Sequence, residues 1–97
     1  MAKSVLTKVE YMLEIAKEKK YSKEDMASLK SYTKDHSNNA VIGRFMGYSI
    51  SDYALATLYW LGSKESMEVF KDIYDKLQAE RKREVDSLIS SNVYLQL

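Results

Sequence analysis

The stretch SISDYALATLYWLGS, residues 49–63, decides the fold. Ile50, Tyr53, Ala54, Leu55, Ala56, Leu58, Tyr59, Trp60 and Leu61 leave almost no polar side on a helix, and a helix that is apolar all round is one a domain buries at its centre. Both ends are marked. Ser49 or Ser51 can cap the first turn with a hydroxyl. Gly62 suits a left-handed C-terminal cap, and Ser63 directly after it can cap a following helix. The spacing predicts a central helix joined by a tight turn to an antiparallel neighbour.

Working outward, Val5, Leu6, Val9, Met12, Leu13 and Ala16 recur at three- and four-residue spacing, which predicts a helix over residues 4–20 with one apolar stripe. Ser22-Lys-Glu-Asp25 has the form of a capping box, and a second helix should follow to Asp35, burying Met26, Leu29 and Tyr32. His36-Ser-Asn-Asn39 is a polar break, and residues 40–46 can form a short helix ending at Gly47.

On the other side, Met67, Phe70, Ile73, Tyr74 and Leu77 mark one face of a helix that can run from Lys64 to Ser91. Its exposed side carries the opposite-charge pairs Lys64 with Glu68, Lys71 with Asp75, Asp72 with Lys76, Lys76 with Glu80, and Lys82 with Asp86. Unbroken, it would measure ~42 Å, longer than a compact domain of this size is wide. It must break near Ala79 or project. The whole is an all-α, compact four- or five-helix bundle with a long C-terminal helix, in one domain.

Composition limits the chemistry. The 97 residues are 45% hydrophobic and 30% charged, enough apolar matter for a single core, and 15 basic against 14 acidic residues give no strong field toward nucleic acid or an anionic membrane. Without cysteine there are no disulfides, thiolate nucleophiles or Cys-held metals. Charges interrupt residues 1–20 too often for a signal peptide or a membrane span, so the cytoplasm is the expected location. The one histidine, His36, sits between Asp35 and Ser37, and adjacent side chains diverge instead of converging on a relay. Gly43 and Gly47 lack the lysine and strand of a phosphate loop. The expectation is a protein that is not an enzyme and carries no cofactor or metal.

Residues 39–58, NAVIGRFMGYSISDYALATL, resemble the helix-turn-helix of transcriptional repressors. Gly43 stands at the helix contact, Gly47 at the turn, and Ile42, Met46, Tyr48, Tyr53 and Ala56 at packing positions. The resemblance implies a DNA-binding regulator over residues 39–61, with Arg44, Ser49 and Ser51 as the contacts to DNA. The reading face departs from the family: Ile50, Ala54, Leu55 and Leu58 offer no donors to base edges, and Asp52 adds a negative charge. Nucleic acid is therefore the disfavoured partner.

The charged run Glu80-Arg-Lys-Arg-Glu84 separates the core stripe from a second apolar patch: Val85, Leu88 and Ile89 on one helical face, then Val93, Tyr94, Leu95 and Leu97. Two arrangements bury it. Either the chain turns near Ala79 and folds its end back onto the bundle, or the patch pairs with a second copy about a twofold axis, the commonest way to cover such a face. Pairing is preferred, with Val85, Leu88, Ile89, Val93, Tyr94 and Leu95 as the contacts. The expected function is that of a small protein-binding or regulatory protein acting as a homodimer, a class that includes accessory and inhibitor proteins of mobile elements.

Overall fold

The computed structural model describes residues 5–35 and 48–91, with side chains from Lys8 onward. Within them lie five helices: α1 Val5–Glu18, α2 Lys23–Tyr32, α3 Ile50–Leu61, α4 Lys64–Tyr74 and α5 Ala79–Ser91. The all-α expectation holds. The helix expected over residues 40–46, Arg44, His36, the side chains of Val5 and Leu6, and the tail residues Val93, Tyr94, Leu95 and Leu97 lie outside the described residues.

α3 is the axis of the bundle, packing against α1, α2, α4 and α5. Every residue from Ile50 to Leu58 is buried, and Leu61 with them. Only the last turn reaches the surface: Tyr59 is 45% exposed, and Trp60 is half-buried with its Nε1 donating to the Ile89 carbonyl at 3.4 Å. Gly62 has φ +66° and closes the helix, as its lack of a Cβ allows. Ser63 caps α4 by accepting from the Ser66 amide at 3.1 Å and also meets the Tyr21 hydroxyl at 2.8 Å, which ties this turn to the α1–α2 connection.

α1 buries Val9, Met12, Leu13, Ile15 and Ala16. It ends at Glu18, two residues short of the expectation, because Lys19 turns left-handed at φ 54° while its amide bonds back to the Ile15 carbonyl. α2 starts at the expected Ser22–Asp25 capping box and buries Met26 and Leu29. It stops at Tyr32 and not at Asp35. The Lys34 and Asp35 amides bond three residues back, tightening the last turn, and this turns Asp35 inward, where its carboxylate takes Lys8 Nζ at 2.8 Å. The Tyr11 hydroxyl donates to Asp25, and its burial together with that bond raises its pKa to about 12.

The long C-terminal helix is corrected: it is two helices. Asp75–Gln78 interrupt it, with the Lys76 and Leu77 amides bonding three residues back before α5 begins at Ala79. The longest dimension of the molecule is 34 Å, which an unbroken ~42 Å rod would overrun. The break also re-aims the chain. In one straight helix Arg81 and Glu84 would occupy the core seam, whereas the turn lets α5 fold back on α3 and insert Val85 and Leu88, both 0% exposed. Of the expected charge pairs only Asp72–Lys76 forms an ion pair, at 3.6 Å between exposed groups. Asp86 instead accepts the Tyr74 hydroxyl at 2.8 Å.

α5 therefore belongs to the core of a single chain. Leu88→Ala should lower stability by about 2–5 kcal/mol, the usual cost of emptying a buried leucine site. Urea denaturation should give this loss equally at low and high protein concentration; a loss that vanishes on dilution would make Leu88 an interface residue.

Candidate functional site

A buried ion pair with hydroxyls beside it is an arrangement that enzymes use, and the polar groups near the middle of the molecule form one. Ser49 is the N-cap of α3, and Asp52, three residues on, completes a reciprocal box: the Asp52 amide donates to Ser49 Oγ at 3.3 Å and the Ser49 amide to Asp52 Oδ2 at 3.0 Å. Asp52 is 0% exposed. Its second oxygen, Oδ1, lies 3.1 Å from Arg81 Nη2, out of line for a hydrogen bond, so that contact is purely electrostatic. Arg81 directs its hydrogens to Ser51 Oγ at 2.5 Å and Ser49 Oγ at 3.2 Å, and the two hydroxyls meet at 2.7 Å.

Each member is thereby committed inside the network. The Ser51 amide, an orphan of the first turn of α3, is taken by the Asp35 carbonyl at 2.7 Å. Among the described residues the network works as a tie between the start of α3, the end of α2 and the first turn of α5.

This placement corrects two sets of expected contacts. Ser49 and Ser51 are 4% and 1% exposed and engaged with Arg81, so neither can meet a phosphate or a base edge. Val85 and Leu88 are in the core of the single chain and so are not available to a second copy, and Ile89 is half-buried against them. The chain buries them itself by folding α5 back. Among the described residues no three His, Asp or Glu side chains converge as a metal site requires, and no helix is long and apolar enough to cross a membrane. The Thr57 hydroxyl is wholly buried without a hydrogen-bond partner among them; nothing in the structure explains it.

What remains accessible is on the outside. Between the C-terminal half of α2 and the middle of α4 runs an open groove of about 650 Å³. Lys30 and Ser31 at the end of α2 and Thr33 and Lys34 in the turn after it form one wall, and Glu68, Val69, Asp72 and Ile73 of α4 the other. Val69 and Ile73 pack inward against the core with their outer surfaces in the groove. Glu68 and Asp72, one turn apart, stand outside them as an acidic rim. No ion pair crosses between the lysines and these acids. On the other flank of α4, Tyr59, Phe70 and Tyr74 form a ladder of rings with centroids 5.4 and 5.0 Å apart, and Lys82 Nζ lies 5.4 Å from the Tyr74 ring.

The chain matches no protein-family model, no curated protein and no solved structure.

Sequence reasoning missed both the network and the groove. Asp52 was the available signal for the first: a carboxylate in a helix apolar on every side needs a cation, and Arg81 stood at a seam position with no other explanation. No sequence signal announces the groove, because its two walls come from helices that the chain brings together only through α3.

Breaking the tie should be costly. Arg81→Met strands the Asp52 carboxylate and should cost about 2–4 kcal/mol in urea denaturation, somewhat less than a fully enclosed pair because Arg81 keeps 29% of its side chain exposed. Adding Asp52→Asn, which keeps an acceptor for the cap but removes the charge, should restore part of that loss. A cost below about 0.5 kcal/mol for Arg81→Met would mean that water screens the pair as it does on a surface.

Proposed function

We propose that the chain is a small, non-enzymatic binding protein of the cytoplasm that acts in regulation by contacting another protein through the groove between α2 and α4. The observation that carries this is the groove's composition. Val69 and Ile73 give it an apolar strip beside Ser31 and Thr33, four charged side chains flank it, and Lys30, Lys34 and Glu68 make no ion pair with any described residue. Protein interfaces combine an apolar centre with a polar rim in this way. The buried polar network supports the same reading from the other direction, since its hydroxyls, carboxylate and guanidinium are consumed in holding helices together.

The partner is a protein, and a second copy of the chain is one candidate. Photo-crosslinking tests the proposal whatever the identity of that partner. A benzophenone amino acid replacing Asp72, on the groove rim, should capture a defined protein in extract of the source cells, while the same group replacing Glu14, exposed on α1, should capture none. An adduct of twice the chain's mass would identify a second copy. No adduct from position 72, or equal labelling from both positions, would contradict the proposal.

A further inference from the structure

The groove's two walls differ in sign, and that difference specifies an occupant. The last turn of α2 contributes Lys30 and the turn that follows it Lys34; α4 contributes Glu68 and Asp72, four residues apart and so on one side of that helix. No ion pair joins the two sides. Lys30, Lys34 and Glu68 are unpaired among the described residues, and Asp72 has only the solvent-exposed contact to Lys76 at 3.6 Å. The walls are held apart by the packing of both helices on α3.

The form of the occupant follows from the backbone. The walls are built from α4 and from the end of α2 with the turn after it, and among the described residues no sheet edge borders the groove to which an extended segment can add a strand. A segment seated in the groove must therefore satisfy its own backbone, which a helix does. The groove is also open to solvent. A small molecule is held by a site that encloses most of its surface, whereas a helix needs only a trough for one face.

We propose that the groove seats an amphipathic helix of a partner protein, its apolar stripe on Val69 and Ile73, an acidic flank along Lys30 and Lys34, and a basic flank along Glu68 and Asp72. This rests on the groove being the protein-binding face argued above and adds the partner's chemistry. The two walls also set the direction of the bound helix, because reversing it with the apolar stripe kept inward exchanges the flanks and places like charges together.

Three synthetic helical peptides with the same apolar stripe test this on the full chain by fluorescence anisotropy: one with an acidic and a basic flank, one acidic on both flanks, one basic on both. Each uniform peptide sets two like charges against one wall, so the mixed peptide should bind about tenfold tighter than either, a preference that shrinks as salt is raised. Lys30→Glu with Lys34→Glu makes both walls acidic and should move the preference to the all-basic peptide. Both lysines are exposed, and retained helix content by circular dichroism shows that this variant is folded. Binding of all three peptides within about twofold of each other, or an unchanged preference in the variant, overturns the charge assignment. So does failure of all three peptides while the crosslink at position 72 persists, an outcome that leaves the protein-binding reading standing. Loss of both the crosslink and peptide binding removes that reading too. A homodimer that Asp72→Lys dissociates would replace the helix partner with a second copy.

Discussion

A carboxylate can be buried in the first turn of an apolar helix only if both of its oxygens are held, and the wholly buried Asp52 imposes that condition on the rest of the molecule. One oxygen is satisfied locally by the Ser49 amide, 3.0 Å away. The other requires a cation, and the nearest one in the fold is Arg81, on a helix that begins almost thirty residues later in the chain. Meeting that requirement brings α5 back across α3. Once it is there, Val85 and Leu88 fill the core beside Tyr53, Leu55 and Leu58, Tyr48 meets Ser87 at 2.9 Å, and Trp60 reaches the Ile89 carbonyl. The ion pair is not the main source of stability, since a well-packed apolar pair of the same shape could serve as well. Its contribution is to fix which way the chain turns after α4.

The same constraint governs the surface. Among the described residues the interior polar side chains other than Thr57 are consumed by caps and by this network, so what they can offer a partner is what the helices leave uncovered. α4 presents such surface on both flanks, with the ring ladder of Tyr59, Phe70 and Tyr74 on one side and the groove against α2 on the other. The groove differs from an ordinary surface cleft in holding four like-spaced charges of two signs that the fold keeps from one another. A function carried by such a face is one of recognition, with specificity set by charge pattern more than by area.

Much of the fold was legible because its signals are local. Ser22 and Asp25, Ser49, Gly62 and Ser63 all act within one helical turn, and all sit where their types suggested. The central place of α3 followed from its lack of a polar side. What could not be read depends on distant partners. Val85, Leu88 and Ile89 form an apolar patch with or without a break at residues 75–78, and sequence alone gives the same stripe to a dimer interface and to a folded-back helix. Ser49 and Ser51 could pass for DNA contacts because a hydroxyl at a helix N-terminus suits a phosphate as well as a neighbouring arginine. The groove was beyond reach for the same reason: Lys30 and Glu68 are brought near each other only by their shared packing on α3.

The central claim is that α5 is part of one cooperative core, tied in by Arg81, Val85 and Leu88, and native-state hydrogen exchange tests it most directly. If it is correct, the amides of Val85 and Leu88 exchange only through global unfolding, with an opening free energy within about 1 kcal/mol of those of Leu55 and Leu58 in α3. Exchange of the α5 amides on the order of a hundredfold faster than α3, with α1 to α4 still protected, would show α5 to be a separable appendage and would contradict the account.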